Sequence, residues 1–546
     1  METLSLSHSQ VPGASGLLLD YLSRYDRVQG FYNGSPFERA TYERIANELR
    51  NGLRSDRKAL AEILLRQNQS FGVGQETFDN IRRLTAPDAV AVVTGQQVGF
   101  LSGPAFTLYK ALTAIRLSQS LNAQGLNSVP VFWLATEDHD LEEVAQTYAF
   151  KDEYELIHLS DPGERPAPQS PVGRVQLTEK VAAAIDQLQG GLPPSEFRDR
   201  TIEELRASYQ PGVTWGQAFG RFLARLFTQY GVVFLDPLDE GIHRLNVPVY
   251  HEAARRATEL RARLMERSQA IVKAGYHAQV RVSEESTLLF AERDGNRLPL
   301  HQYVSSKSTR FLTEDSEGVA AADLESEIEN QPIHFSSNVL LRPIIQDMLL
   351  PTVAYVAGPS ELAYLGQAAV LYPVFGRPMP AIFPRAGFTL VDHHVERWME
   401  KYRLSVEDVW QGEERLGRRI AETALAEGWP ERFDQTERDL GSLLDRLRKD
   451  VESLDPTLLD ALKRTEEKIL YQIERLKGKM TRSALGRSEV LARHRENLLR
   501  AIMPKKDLQE RVVSGAYFLG RAGYGLLDRL LERIPTDSST HCVLSY

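Results

Sequence analysis

Three stretches of the sequence combine residue types that can bind or transform a small polar molecule. The first is TGQQVGFLSGP, residues 94–104. Glycine lets a ligand approach the backbone closely, and the helix predicted to begin near Pro104 would offer free N–H groups to a phosphate or carboxylate. A purely structural turn is the alternative, since neither standard nucleotide-binding fingerprint is present. The nucleotide- or substrate-binding candidates here are Thr94, Gly95, Gln96, Gln97, Gly99 and Gly103.

The second stretch is an acidic cluster that directly follows the apolar run VFWLA. Carboxylates and an imidazole in one loop can bind Mg²⁺, hydrogen-bond an amine or transfer a proton. Helix capping is the alternative, but it explains only one or two acidic residues. The catalytic candidates are therefore Glu137, Asp138, His139 and Asp140.

The third stretch covers residues 340–367 and repeats the design of the first, with an apolar run, a glycine, a proline and a helix start. Its arginine can clamp a phosphate or carboxylate through two parallel hydrogen bonds. Capping by Ser360 and Glu361 is the alternative for those two residues. The binding candidates from this stretch are Arg342, Gln346, Asp347, Gly358, Ser360, Glu361 and Tyr364.

Other suggestive residues do not make a site. One cysteine and no HExxH motif leave no zinc ligand framework, so no zinc is expected. The stretch KMTRS, residues 479–483, imitates the KMSKS signature of class I synthetases, but Met480 falls on a heptad seam. His393-His394 is a weak metal candidate, and His541-Cys542 has no visible catalytic partner.

Five short apolar runs predict the strands that position these stretches: residues 89–93, 129–135, 232–236, 352–358 and 380–385. The first run, the glycine-rich loop, a helix predicted over 104–124 and the second run form a βαβ unit, which favours a parallel sheet. Ligands of such sheets bind beyond the carboxyl ends of the strands, where all three stretches would lie.

The sequence divides into a sheet-forming part and a helical part. We predict a core over residues 1–390, interrupted by insertions at about 150–215 and 275–335, the second containing a β-hairpin with Asp294-Gly295 as its turn. Residues 391–505 are predicted to form a helical domain, and 506–546 a C-terminal helix that returns to the core.

The helical domain carries two heptad series joined at Asp455-Pro456, which predicts an antiparallel coiled coil. A self-contained helical core is the alternative, but the narrow seam favours a homodimer. The seam residues are Phe433, Leu440, Leu444, Leu447, Val451 and Leu454, then Leu459, Leu462, Ile469, Ile473, Leu476 and Met480.

Composition limits the class of protein. The chain has 546 residues, 42% of them hydrophobic and 25% charged, as in soluble globular proteins. A net charge of −9 gives no overall attraction to nucleic acid. The N-terminus lacks signal-peptide features, and no apolar run is long enough to span a membrane. We expect a cytoplasmic protein that binds neither nucleic acid nor membrane.

Taken together, TGQQVGFLSGP, FWLATEDHD, RPIIQD and YVAGPSELAY resemble the bacillithiol-biosynthesis cysteine-adding enzyme (BshC) family, over nearly the whole chain. The resemblance implies an α/β, Rossmann-like parallel-sheet core akin to nucleotidyltransferases and class I synthetases. It further implies two connecting insertions and a coiled coil that forms a homodimer. The glycine-rich loop occupies the place where related enzymes carry the sequence motif HIGH, and the two histidines of that motif are absent here. Lys110 or Arg385 would supply charge instead.

The resemblance also implies a reaction, the addition of L-cysteine to glucosaminyl-malate in the last step of bacillithiol synthesis. Because an ammonium and a carboxylate do not condense unaided at neutral pH, ATP is expected to activate the cysteine carboxylate, and Mg²⁺ can accompany it. Whether cysteine is adenylated or phosphorylated stays open. The alternatives are a nucleotidyltransferase or ligase with a different acceptor, and a non-catalytic coiled-coil scaffold that binds a nucleotide.

Overall fold

The chain forms two compact units in a computed structural model that describes residues 4–52, 56–304, 309–313, 319–424 and 429–546. The side chains of residues 424, 429–431, 481–482 and 484–487 are outside that description. One unit comprises Ser5–Phe388 and Glu510–Cys542. The other comprises Thr389–Gln509 with Leu4 and Val543–Tyr546 from the chain ends.

A five-stranded parallel sheet forms the centre of the first unit, as the apolar runs predict. Its strands are β1 (Val90–Gln96), β2 (Ser128–Leu134), β3 (Val233–Leu235), β4 (Thr352–Ala357) and β5 (Ala381–Pro384). Their order across the sheet is β5-β4-β1-β2-β3, so β1 is central. The fold is therefore α/β and Rossmann-like in its sheet.

The sheet is buried on both faces, which explains why its strands are continuously apolar. Along β1, Ala91 and Val93 face one apolar core while Val90 and Val92 face another. Strand β1 is longer than predicted, because Thr94, Gly95 and Gln96 pair with β2 instead of starting the loop. The polar end of β1 is thereby held rigidly beside Trp133 and Leu134.

Five helices of this unit concern the site. They are α1 (Phe106–Ala123), α2 (Leu141–Val144), α3 (Glu240–Arg255), α4 (Arg342–Leu349) and α5 (Pro359–Ala368). Helix α1 lies within two residues of its predicted bounds. Helix α5 begins directly after β4, with Gly358 at its N-cap and Pro359 in its first turn, a position where proline needs no N–H partner.

The remaining helices of the first unit surround this framework. Their bounds are Gly16–Ser23, Arg39–Asn51, Arg57–Phe71, Gln75–Leu84, Lys180–Gly191, Glu196–Ser208, Trp215–Leu226, Ala257–Lys273, Ala321–Asn330, Gln509–Val512 (Gln509 itself belonging to the other unit), Gly515–Ala522 and Gly525–Glu532. The last three replace the single C-terminal helix predicted from the sequence. Gly523, at φ +77°, separates two of them. Short strands elsewhere in the chain are Leu4–Leu6, Gly387–Val391 and His541–Ser545.

Two antiparallel sheets lie in the regions interpreted as insertions. Strands Gln146–Phe150 and Leu156–Ser160 form one of them. The other contains the predicted hairpin, Ser286–Arg293 and Asn296–Val304, with Asp294 and Gly295 both at positive φ in its turn. This second sheet continues in the order Val319–Ala320, Thr309–Leu312, Asn296–Val304, Ser286–Arg293, Phe335–Ser337.

The second unit is helical and contains the predicted antiparallel hairpin. Its two long helices, Trp429–Leu454 and Leu459–Arg487, are joined by a short turn that Asp455 caps. Ion pairs Arg448–Glu466 and Lys477–Asp434 cross between them. The other helices are His393–Lys401, Val406–Trp410, Glu413–Ala424 and Glu489–Ile502.

The close contact between Gly99 and Gly103 in the glycine-rich loop predicts a measurable effect on the free energy of unfolding. A Cβ added at Gly99 would meet the Gly103 Cα at 2.7 Å, whereas one added at Gly190 meets nothing within 4 Å. We expect Gly99→Ala to lower the free energy of unfolding by about 1–3 kcal/mol, and Gly190→Ala to leave it unchanged or raise it by up to about 1 kcal/mol. Chemical denaturation followed by circular dichroism measures both. Equal stability of the two variants would contradict the packing role.

Candidate active site

The polar residues at the ends of β1, β2 and β4 line a cavity of about 800 Å³. Three stretches far apart in the sequence converge there, as expected for the carboxyl ends of neighbouring parallel strands. Of the sequence-predicted residues, those lining the cavity are Gly95, Gln96, Gln97, Lys110, Glu137, Asp138, Arg342, Gly358, Ser360, Glu361, Tyr364 and Arg385.

A buried ion pair joins the end of β1 to the start of α5. The Lys110 ammonium donates to the Gly95 carbonyl and to Gln96 Oε1, each at 2.9 Å, and pairs with Glu361. Glu361 also accepts from the Gly358 N–H and the Tyr355 hydroxyl, both at 2.7 Å. Burial alone would raise the pKa of Glu361, but Lys110 and these donors together hold it below its usual value.

Arg342 projects from the first turn of α4 towards the same cavity. Its guanidinium donates to Gln346 Oε1 at 3.0 Å and lies 3.3 and 3.4 Å from the Tyr355 and Tyr364 hydroxyls. It also lies 6.0 Å from the centre of the Trp133 ring. The fixed guanidinium is suited to a carboxylate or phosphate.

Glu137 gives the cavity a carboxyl group of unusual proton affinity. It follows β2, and its side chain is 12% exposed. Burial raises the pKa of Glu137 to about 7, against the opposing effect of the Arg297 charge. A carboxyl group with this pKa is half ionised near neutral pH and can accept or donate a proton there.

The neighbouring acidic residues are held by an amide. Gln97 Nε2 donates to Asp138 Oδ2 and to Glu143 Oε2, each at 2.8 Å. Both N–H groups of the Gln97 amide are therefore used. The second glutamine of the glycine-rich loop thus ties that loop to helix α2, which carries Glu143.

Arg297 reaches the cavity from the hairpin strand Asn296–Val304. It donates to Ser336 Oγ at 2.9 Å and to the Ser337 carbonyl at 2.6 Å, and stacks 3.7 Å from the Phe290 ring centre. Its Nη1 lies 3.1 Å from His139 Nδ1. The hairpin therefore brings a buried cation to the side of the cavity that holds Glu137.

The C-terminal segment also contributes to the cavity lining, through Arg511. Glu510 accepts from Arg385 Nη2 at 2.6 Å and from the Phe388 N–H at 3.0 Å. Arg385 lines the cavity together with Arg511 and stacks 5.2 Å from the Phe106 ring centre. The Glu510 carboxylate, buried like Arg385, fixes the direction of that guanidinium.

Three residues of the glycine-rich stretch do not line the cavity. Thr94 donates from its hydroxyl to the Val356 carbonyl at 3.0 Å, between β1 and β4. Gly99 and Gly103 pack against each other in a buried loop. Gly95 lines the cavity, but a Cβ there would meet the Trp133 carbonyl oxygen at 3.0 Å, so its side of the strand is close-packed.

Four other predicted residues also lie outside the cavity lining. Asp140 caps helix α2 by accepting from the Glu143 N–H. His139 contacts Arg297, and burial lowers its pKa. Gln346 and Asp347 are buried and bonded to each other, and Asp347 accepts from the Tyr372 hydroxyl. Through these contacts the four residues position their neighbours.

Several lining residues escaped the sequence analysis: Phe106, Trp133, Glu143, Phe290, Arg297, Ser337, Asn338, Val339, Tyr355 and Arg511. Trp133 and Tyr355 lie inside predicted strands, so their apolar context concealed them. Arg297 and Arg511 come from segments interpreted as an insertion and a tail, and no local signal shows that they face a cavity.

Within the described ranges, no cluster of three or more His, Cys, Asp or Glu side chains could hold a metal ion. Nor does the described part of the chain contain a helix long and apolar enough to cross a membrane.

The fold and the cavity define a Rossmann-like α/β enzyme whose site lies beyond the carboxyl ends of its strands. Residues 1–386 match the N-terminal Rossmann-like domain of the bacillithiol-biosynthesis BshC family, and residues 388–546 match its C-terminal coiled-coil domain. The chain belongs to the BshC family.

Relatives over the full length support this assignment. The chain is 36% identical to a protein of Koribacter versatilis, over 97% of both chains, and 34% identical to one of Solibacter usitatus, over the whole of both. A protein of Salinibacter ruber is 34% identical over 98% of both chains. All three are named "Putative cysteine ligase BshC". The chain is accordingly an enzyme of the ligase class.

The Lys110–Glu361 pair predicts a thermodynamic coupling. Lys110→Met leaves a buried carboxylate without its cation, so we expect a loss of about 3 kcal/mol in the free energy of unfolding. Adding Glu361→Gln removes the unpaired charge and should recover most of that loss. Urea denaturation of the two single variants and the double variant measures the coupling. Additive effects would show that the two side chains do not stabilise each other.

Proposed function

We propose that the protein joins L-cysteine to the amine of glucosaminyl-malate, forming the amide that completes bacillithiol. The family assignment supports this reaction, and the cavity contains groups suited to it. Its lining includes the carboxyl groups of Glu137, Asp138 and Glu143 and the guanidinium groups of Arg342, Arg385 and Arg511. Groups that can pair with a cationic amine and groups that can pair with anionic co-substrates therefore line the same cavity.

The observation that carries the proposal is Glu137. Its pKa of about 7 suits it to take a proton from an ammonium group, which must become a neutral amine before it can attack a carbonyl. In the proposed reaction the amine nitrogen forms a bond to the cysteine carbonyl carbon, and the activating group leaves with the bonding electrons. The nitrogen loses two protons in all: the ammonium proton goes to the Glu137 carboxylate before the attack, and the second, lost as the amide forms, leaves with the activating group or passes to water.

The start of α5 is the proposed site for the phosphates of ATP, which would supply the activating group. Ser360 lines the cavity and is exposed in the first turn of this ten-residue helix, where backbone N–H groups have no acceptor within the helix. Arg385 stands beside it, 3.8 Å from the position of a Cβ on Gly358. These residues would bind the phosphates and orient them, and Arg385 would balance charge as the anhydride forms.

Mg²⁺ is proposed only as a companion of the nucleotide. Since no cluster of three acidic or imidazole ligands occurs among the described residues, the ion would take most of its ligands from phosphate oxygens and water. A cytoplasmic location is part of the same proposal, because a thiol product suits a reducing compartment.

A homodimer through the coiled coil completes the proposal. In the single chain, Leu440, Leu444 and Val451 are at least partly buried, whereas Leu447 is 50% and Leu454 83% exposed. On the second long helix Leu476 and Met480 are also exposed. The heptad series therefore leaves an apolar stripe uncovered, which a second copy of the hairpin would bury.

Glu137→Gln tests the reaction. The variant keeps the shape of the side chain but cannot accept a proton, so product formation should fall at least ~100-fold. The measurement is the mass of the product formed from cysteine, ATP and glucosaminyl-malate. In the unaltered enzyme, activity should decline as the pH falls below about 7, because the carboxyl group is then protonated.

Asp140→Asn is the matched control, since Asp140 caps a helix outside the cavity lining and asparagine caps nearly as well. It should keep activity within a few-fold of the unaltered enzyme. If both variants are equally active, Glu137 is not the base. If the unaltered enzyme forms no product, the reaction itself is misassigned.

The homodimer has its own test. Leu447→Glu with Ile469→Lys places charge on the seam, and because burying unpaired charge is unfavourable by several kcal/mol, the chain should become a folded monomer. Light scattering gives the mass. Ser442→Glu introduces charge at an exposed position of the same helix and should leave the mass unchanged. A dimer of the double variant would show that the seam is only an intrachain core.

A further inference from the structure

A buried histidine that does not line the cavity lies beside Glu137. His243 and Tyr250 lie on one face of α3, and each is about 1% exposed. His243 Nε2 lies 3.9 Å from Glu137 Oε1. That nitrogen has no hydrogen-bond partner within the described parts of the chain. A buried nitrogen without a hydrogen-bond partner requires an explanation, above all when it lies beside a carboxyl group.

The Tyr250 hydroxyl fixes which ring nitrogen of His243 carries hydrogen. The Tyr250 hydroxyl oxygen lies 3.1 Å from His243 Nδ1, and this hydroxyl has no other hydrogen-bond partner among the described residues. A buried hydroxyl that donates nothing is destabilising, so its hydrogen goes to Nδ1. Burial lowers the pKa of His243 to about 4, with the Phe335 carbonyl opposing, so the ring is neutral. A neutral ring that accepts at Nδ1 carries its hydrogen on Nε2.

The Nε2–H therefore has two nearby acceptors, the Phe335 carbonyl and the Glu137 carboxyl oxygen, which lies 3.9 Å from Nε2. The gap of 3.9 Å exceeds a hydrogen bond, and ionisation of Glu137 favours closing it, because a carboxylate accepts a hydrogen bond more strongly than a neutral carboxyl group does. The other charged groups that act on Glu137 come from separate elements: Arg297, Asp236, Arg342 and Arg174.

We propose that His243 is a positioning residue for Glu137, and that its Nε2–H, oriented by the Tyr250 hydroxyl, holds the carboxylate form turned towards the substrate amine. The role of Glu137 as the base rests on the proposed function, but the contact between the two side chains does not. His243 itself is not among the residues that line the cavity, so it acts through Glu137 and not on the substrate.

Infrared titration of the full-length protein tests the contact without any substrate. Subtracting the spectrum of Glu137→Gln identifies the carboxyl band of Glu137, whose pKa is then read from its pH dependence. His243→Leu removes a donor to the carboxylate, so the pKa of Glu137 should rise by about one unit or more. His243→Gln, which keeps a neutral N–H near the Nε2 position, should restore most of the original value.

An unchanged or lowered pKa of Glu137 in folded His243→Leu would overturn the proposal. If that variant does not fold, Tyr250→Phe provides the second measurement. It removes only the hydroxyl that fixes the ring, so the pKa of Glu137 should rise by a smaller amount. No change in folded Tyr250→Phe would then count against the proposal.

Activity separates this inference from the proposed reaction. If Glu137 is the base, His243→Leu should move the acidic limb of the pH profile of kcat upwards by about one unit, with the KM for cysteine unchanged. A merely structural role would reduce activity without moving that limb. If no product forms in any variant, the proposed reaction fails, whereas the infrared titration still decides the role of His243.

Discussion

The ammonium group of Lys110 holds the central strand end against its neighbour, and the geometry of the cavity depends on it. Each of its three N–H bonds has an acceptor: the Gly95 carbonyl, Gln96 Oε1 and Glu361. Two of these lie at the end of β1 and the third at the start of α5. A charge this deeply buried is stable only because it is fully paired. The pairing holds the end of β1 beside the start of α5 in the cavity wall.

The same principle governs the rest of the cavity wall. Arg385 is paired with Glu510, and Arg297 is held by hydroxyl and carbonyl oxygens and an aromatic ring. Glu137 is different, because no hydrogen bond within the described residues satisfies it and its pKa lies near 7. Because Arg385 and Arg297 have hydrogen-bond partners and Glu137 has none in the described part of the chain, the Glu137 carboxyl group is the one free to exchange a proton.

The sheet and part of the cavity could be predicted from the sequence, and the reason is physical. Strands buried on both faces must be continuously apolar, so β1, β2 and β4 were visible, and residues just beyond them had to meet at one edge. The loop residues Gly99 and Gly103 show the limit, since glycine for close packing and glycine for ligand approach have the same sequence pattern. Arg297, Arg511 and His243 could not be predicted, because only long-range packing brings them to the strand ends.

The path of the chain through the cavity wall has a consequence for biosynthesis. Arg385 and the Glu510 that fixes it are 125 residues apart in sequence, and the segment between them forms the helical unit. At about 5–20 residues per second, a ribosome needs on the order of ten seconds to make that segment. Throughout that interval the nascent α/β unit holds an arginine without its carboxylate partner. The cavity therefore reaches its final form only after the helical unit has been synthesised, so a chain interrupted there carries an incomplete site.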